Sequence, residues 1–436
     1  MKTSTLIVRL AILALVCLVG LLGCRKPPTI IVKKRRVPVY YDTLYEEKLK
    51  HTKLPLVHEG WGPFVEILDE PVAVIAAQGK ATTWEVFFAT NRGLLAETAA
   101  SGQERFGNDV RSVPQFGRAE IMVPFRRRGE DPQRQAEANA PSNVSPATNS
   151  VSPATNSADP FSSVRLDEVR TIAWQEFVSG VNRQVGASRQ KDLLLFVHGF
   201  NVDFESALIR TAQVALDLPF NGAVVSYSWP SQGGVRNYGV DETVNFNSVE
   251  PFTAFLQQLL ADVAPETRVN IVVHSMGSRL VMQSLGKLPA TSRKPLSHVV
   301  FCAPDVGRSD FQRWAPGVIA QAEQVTLYAS TSDSALIVSK SLHQEQRAGD
   351  SHPPLIVPGV ETIDVSAVDF DFLGHSYYGS NVDVLADLFR LIKERRGQQT
   401  CAYLTRQQTD AGHYWYFSDY GDVLHWVWNF DDTIQR

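Results

Sequence analysis

The sequence predicts an α/β fold, with a mostly parallel sheet and helices on both faces. Three observations predict it. Continuous apolar runs such as DLLLFVHGF (192–200) and VNIVVHS (269–275) suit strands buried on both sides. Stretches with apolar residues at i, i+3, i+4 and i+7, such as Trp174, Phe177, Val178 and Val181, suit helices with one buried face. The two kinds of segment alternate up to residue 396, as parallel strands joined by crossover helices require.

In chain order, the first β signals are PVAVIAAQG (71–79), TWEVFFATNR (83–92) and RAEIMVPF (118–125), rich in β-branched and aromatic residues. The composition then collapses. Residues 126–160 are charged and then rich in Pro, Ser, Asn and Thr, and VSPATNS occurs twice in tandem, at 144–150 and 151–157. So little apolar surface cannot offset the entropy of ordering, so 126–162 reads as a flexible insertion. After the helix at 174–181 and the strand at 192–200 comes a helix with Phe204, Leu208, Ala212 and Ala215 on one side. Next are a strand AVVSYSWP (223–230), a helix over 250–263, the strand at 269–275 and a helix over 276–287. SHVVFCAPD (297–305), VTLYAST (325–331) and VETIDVSAV (360–368) read as strands, and NVDVLADLFRLIKERR (381–396) as the closing helix.

Length and charge narrow the class of protein. A chain of 436 residues has ample length for a real core, and its 44% hydrophobic and 20% charged residues are globular proportions. A net charge of −4 argues against nucleic acid as the main partner, because phosphate binding needs a basic field.

The N-terminus reads as an export signal over 1–23. Lys2 and Arg9 precede an apolar stretch, LAILALVCLVGLL (10–22), short for a membrane span. It ends in LLGC (21–24), which resembles a bacterial lipobox, with Cys24 acylated after cleavage. A short anchor helix with an incidental cysteine is the competing reading. Several acyl chains, at about 0.8 kcal/mol per buried CH₂, would hold the protein on a membrane. The residue after the cysteine is Arg25 rather than Asp, the inner-membrane retention residue of many such lipoproteins. That points to the outer membrane in a cell with two. Residues 24–70 form the tether, and 25–53 carry nine Lys or Arg against three acidic residues. This stretch reads either as a contact for anionic headgroups or as a solvated spacer. Of four cysteines, Cys302 and Cys401 remain for the mature fold. No CxxC or Cys/His cluster suggests a metal site, no P-loop or dinucleotide fingerprint appears, and no cofactor is indicated. Cys302 lies inside an apolar run and reads as a buried free thiol.

The chemistry concentrates at VHSMG (273–277). A serine on a tight strand-to-helix turn is exposed to substrate, and the following helix offers N-terminal amides to a developing oxyanion. Such a turn calls for small residues two places to either side of the serine. Gly277 fits, and Val273 does not. The oxyanion donors are assigned to the N–H groups of Met276 and of Phe200, in the FVHGF turn. His198 itself need not be catalytic, because a tight strand-end turn accounts for it. A base and an acid should follow on later strands in the order Ser, Asp, His. Asp333 lies just past the strand at 325–331, with Asp305 as the alternative acid. His375 lies in the Gly/Ser/Tyr-rich loop after the strand at 360–368, with His343 as the alternative base.

Seven segments in this order, FVHGFN, SYSWPSQG, VVHSMGSRL, FCAPDV, LYASTSDSAL, RAGD and LGHSYY, resemble the bacterial α/β-hydrolases described only as esterase- or lipase-like proteins of unknown function. VFFATNRG and GRAEIMVPF extend the resemblance upstream, so that it covers about residues 84–396. It implies an α/β-hydrolase domain over 71–397, with Ser275 as nucleophile, Asp333 as acid and His375 as base. The short stretch between CAPDV and QVTLYAS suits acyl esters, thioesters or exposed polymer-linked acyl groups as substrates. Only about twenty residues separate CAPDV from QVTLYAS, where many relatives insert a lid, so an open site is expected. Two rival readings keep the fold. One is a non-catalytic envelope binding protein, motivated by Val273, the basic tether and the aromatic-rich residues 398–436. The other is an acyltransferase that uses the same triad.

Residues 398–436 read as an aromatic-rich β extension. HYWYFSDYGDVLHWVWNF (413–430) has eight aromatics in eighteen residues, with Trp426, Trp428 and Phe430 alternating after a turn at SDYGD. Such a row serves either as core or as a surface for cell-envelope glycans.

Overall fold

Strands β5 (Asp192–Val197), β6 (Gly222–Ser228) and β7 (Arg268–His274) are apolar nearly throughout because both of their faces are covered. Leu193, Leu195 and Val197 point into one core, and Leu194 and Phe196 into the other. The structure is a computed structural model that describes residues 74–78, 81–95, 105–124, 164–218, 220–234, 237–289, 295–331, 345–366, 382–394 and 404–417. The chain divides into a unit up to Val37 and a unit over Pro38–Arg436, and the described residues all belong to the second.

The remaining strands are β1 (Val74–Gln78), β2 (Ala81–Leu94), β3 (Phe106–Pro124), β4 (Arg165–Thr171), β8 (Leu296–Cys302), β9 (Ala322–Ala329), β10 (Glu361–Asp364), β11 (Leu404–Thr409) and β12 (Gly412–Phe417). They form one twelve-stranded sheet in the order β11-β12-β10-β9-β8-β7-β5-β6-β2-β3-β4, with β1 paired to β2. From β2 to β12 across the middle of that order every pairing is parallel. The pairings of β1, β3, β4 and β11 are antiparallel. This is the α/β architecture expected from the alternation of segments.

Seven α-helices are described: α1 (Trp174–Ala187), α2 (Phe204–Asp217), α3 (Tyr238–Asn247), α4 (Val249–Asp262), α5 (Gly277–Leu285), α6 (Arg308–Gln321) and α7 (Val382–Phe389). Phe177 and Val181 of α1, Phe252 and Phe255 of α4, Leu280 of α5 and Phe311 of α6 fill one core. Phe204 and Leu208 of α2 and Val384 and Leu388 of α7 fill the other. Helix α6 takes up much of the short stretch between FCAPDV and β9. Its Phe311, Ala315 and Val318 are buried, so it is a crossover helix packed on the sheet.

Two further elements differ from the sequence reading. β3 runs over nineteen residues, starting well before RAEIMVPF, because it pairs along almost the whole of β2. The aromatic tail begins as a hairpin that turns at Asp410-Ala411, earlier than SDYGD, and β12 pairs in parallel with β10. Trp415 and Phe417 thereby enter the core, whereas Tyr414 and Tyr416 lie half-buried on the opposite side. Trp426, Trp428 and Phe430 lie outside the described residues, as do Cys24, Cys401 and the tandem repeat. Cys302 is buried and free.

Candidate active site

The order of the sheet decides where a site can form. The chain passes from β5 to β6 on one side, then returns to place β7 on the other side of β5. The turns leaving β5 and β7 therefore lie side by side at the carboxyl ends of their strands, where open α/β sheets bind ligands.

At the end of β7 the backbone bends sharply. Ser275 has φ +49, a left-handed conformation that costs a residue with a Cβ about 1–2 kcal/mol. Its N–H donates to the Cys302 carbonyl at 3.0 Å, and its carbonyl accepts from Ser278 N–H at 3.0 Å as α5 begins. Ser275 is thus the corner residue between a strand and a helix, the position that the motif predicted. Met276 occupies the N-cap position of α5 and is buried, and no side chain caps this end.

Two glycines make the corner possible. A Cβ on Gly277 would lie 2.3 Å from the His198 carbonyl oxygen, far inside any real contact. A Cβ on Gly199 would lie 2.9 Å from Ser275 Cβ and 2.9 Å from His274 Nδ1. The turn containing His198, Gly199 and Phe200 therefore packs directly against the serine. Val273 does not prevent the corner from forming. The same Cβ on Gly277 would stand 3.2 Å from Val273 Cγ2, so glycine on the helix side supplies the room that a small residue at 273 would otherwise provide.

His198 is buried and stacked on Trp229, with ring centroids 5.2 Å apart and planes at 11°. Trp229 Nε1 donates to the His198 carbonyl at 2.8 Å, and His198 Nδ1 lies 2.8 Å from the Gly199 carbonyl. Burial and the neighbouring Arg92 cation push the His198 pKa well below its ordinary value, so the ring is neutral at pH 7. Desolvation of its ring, with the Arg210 cation, also lowers the His274 pKa, to about 3.

Asp305 is buried, with the Tyr238 hydroxyl donating to Oδ2 at 2.5 Å and Arg347 Nε at 3.1 Å from Oδ1. Tyr238 packs on Phe200, with ring centroids at 5.3 Å. Asp305 therefore ties α3, the loop after β8 and the RAGD segment together. The sequence reading named neither Tyr238 nor Arg347. An aromatic at the start of a helix and an arginine in a Gly-containing loop carry no pattern that announces a shared partner.

Asp333, His375 and His343 lie outside the described residues. The described roots of the two loops that carry Asp333 and His375 do meet. Thr331 N–H donates to Ser366 Oγ at 2.9 Å, and Ser330 N–H donates to the Gly349 carbonyl at 2.8 Å. Ser366 Oγ in turn lies 2.6 Å from Ser351 Oγ and donates to Asp364 Oδ1 at 2.5 Å. Among the described residues, no three His, Cys, Asp or Glu side chains gather as a metal site would need.

Comparison with known proteins finds a relative, similar solved structures and a family. An uncharacterized protein of Nostoc sp. (strain PCC 7120 / SAG 25.82 / UTEX 2576), alr1448, is 28% identical over 130 residues, covering 24% of this chain and 34% of the relative. This chain thus spans about a third of that relative's length. Among solved structures, a cold-adapted esterase from an Arctic intertidal metagenomic library aligns with 12% identity and a TM-score of 0.30, over 71% of this chain and 95% of its own. An HSL-homologous protein, EstE7, from a metagenome library aligns with 13% identity and a TM-score of 0.29, over 53% and 82%. Similarity at that level carries no argument about activity. A family profile matches residues 174–395, just over half of the chain, and the chain belongs to the family described as "Alpha/beta hydrolase of unknown function (DUF900)".

Proposed function

We propose that the protein is a serine hydrolase that cleaves carboxylic esters or thioesters through an acyl-enzyme. The observation that carries this reading is the left-handed Ser275 between β7 and α5, with the Gly199 turn packed against it. A strained residue at a ligand-binding edge is a device that folds keep where it serves function. The hydrogen bond between Thr331 and Ser366 supports Asp333 and His375 as partners, because it joins the roots of their loops.

The chemistry is as follows. Asp333 orients His375, which takes the Ser275 hydroxyl proton as Oγ attacks the acyl carbonyl carbon. The N–H groups of Met276 and Phe200 receive the developing oxyanion. The alcohol or thiol leaves with the proton from His375. Water, deprotonated by the same histidine, then releases the acid and regenerates the serine. Transfer to an alcohol or amine would replace only this last step. The acylated Cys24 would hold the enzyme at the cell envelope, in the outer membrane of a cell with two.

Fluorophosphonate labelling of protein lacking residues 1–24, with the adduct located by peptide mass, tests the reading. The expected result is one adduct on Ser275, abolished by Ser275→Ala and reduced at least a hundredfold in rate by His375→Ala. A folded protein that takes no label overturns it and leaves a binding scaffold. The tether is tested separately. Cys24→Ser should move the full-length protein out of the membrane fraction, and retention there refutes lipid anchoring.

A further inference from the structure

Near its end, the first strand of the parallel core carries an arginine with no place in the chemistry above. Arg92, two residues before the end of β2, is fully buried, and burial lowers its pKa to about 10, opposed by the fields of Asp203 and Asp241. Its hydrogen bonds run to uncharged groups on three separate segments. Nε donates to Ser228 Oγ at 2.9 Å. Nη2 donates to the Val202 carbonyl at 2.7 Å. Nη1 reaches the carbonyls of Gly107 at 3.3 Å and Ser231 at 3.4 Å, and Asn108 Oδ1 at 2.8 Å. A buried cation that makes only such bonds among the described residues is expensive to keep, and a salt-bridged or apolar residue would serve stability better.

The geometry around Ser228 shows what the arginine arranges. Ser228 Oγ accepts from Arg92 Nε, so its own hydrogen is directed elsewhere, and His198 Nε2 lies 3.3 Å away. The Gly199 carbonyl can only accept, so its contact with Nδ1 places the ring hydrogen there and leaves Nε2 to accept the Ser228 hydroxyl hydrogen. Nδ1 is 2.8 Å from the Gly199 carbonyl and donates to it in this tautomer. The Gly199 carbonyl and the Phe200 N–H belong to one rigid, planar peptide and point in opposite directions. Fixing the oxygen fixes the N–H assigned to the oxyanion. The opposite tautomer would set two lone pairs against each other at Gly199 and release that peptide.

We propose that Arg92 is a positioning residue for the reaction: through Ser228 it selects the Nδ1–H tautomer of His198, which orients the Gly199–Phe200 peptide beside Ser275. Arg92 also holds the far end of the same turn through the Val202 carbonyl. This inference rests on the serine hydrolase reading for its catalytic consequence but not for its structural content.

The test therefore has two arms. Long-range proton–nitrogen correlation spectra of the imidazoles, assigned with His198→Asn, report the tautomer whether or not the protein is an enzyme. Wild type is expected to show Nδ1–H, and Ser228→Ala to lose it. Kinetics on a short-chain ester form the second arm. Ser228→Ala and Arg92→Lys are expected to lower kcat about tenfold to a hundredfold, with KM within about twofold, as loss of an oxyanion donor would do. Fluorophosphonate labelling should slow in parallel. Ser228→Ala removes only one of the arginine's bonds, so it keeps the test meaningful if Arg92→Lys fails to fold. An Nε2–H tautomer in wild type, or an unchanged kcat in Ser228→Ala, overturns the proposal. Failure of wild type to label at Ser275 would instead overturn the hydrolase reading and leave the tautomer result standing.

Discussion

Ser275 combines two properties that usually conflict. It is only 8% exposed, within the packed end of β7, yet it holds a backbone conformation suited to glycine. The strain and the function can be separated experimentally. Ser275→Gly and Ser275→Ala both remove the hydroxyl, but only alanine retains the cost of a Cβ at φ +49. The glycine variant is expected to be more stable than the alanine variant by about 1 kcal/mol, measured by urea denaturation. Equal stability would mean that the corner stores no strain. Val273 shows the limit of reading a motif residue by residue. A bulky side chain there looked like a defect, but the space it needs is left by Gly277, four residues along and on the next element.

At the scale of elements, the site depends on how α2 and α5 begin. Helix α5 starts with no side-chain cap, leaving its first amides free of competition from a side chain near Ser275. Helix α2, whose start follows the Phe200 turn, is capped: the Asp203 carboxylate accepts from Ser206 N–H at 2.7 Å. Asp203→Ala is expected to cost about 1 kcal/mol of unfolding free energy, read from the shift in denaturation midpoint at constant slope. No loss would mean that solvent replaces the cap. The closing helix was legible over 381–396 from its apolar spacing, yet it widens into a π turn over Arg390–Glu394. There Lys393 reaches Asp192 and the Asn221 carbonyl, both at 3.2 Å. A partner some two hundred residues away leaves no trace in local periodicity.

For the whole molecule, the buried histidines set a dependence of stability on pH. His298, on β8, is buried against Thr326 Oγ1 at 2.8 Å, and burial with the fields of Arg390 and Arg268 lowers its pKa to about 3. The unfolded chain takes up this proton below about 6.5, whereas the folded chain does not until about 3. The contribution is complete above pH 6.5 and is lost as the pH falls toward 3. Each such histidine adds a slope of about 1.4 kcal/mol per pH unit within that window. His298→Gln is expected to flatten the fall in melting temperature between pH 6.5 and 4, and an unchanged profile would exclude His298 as a source.

The fold class is written in the local sequence, because strands buried on both faces must be apolar at every position and crossover helices must be amphipathic. The local sequence also sets the corner at Ser275, because a tight strand-to-helix turn restricts its neighbours within a few residues. Which distant segments meet there depends on the order of the strands in space. The order of the sheet brings the turn after β5 against Ser275, and the roots of the loops that carry Asp333 and His375 against each other. Arg92 and Ser228 are 136 residues apart in the chain, and hydrogen bonding across such a distance follows from strand order rather than from local pattern.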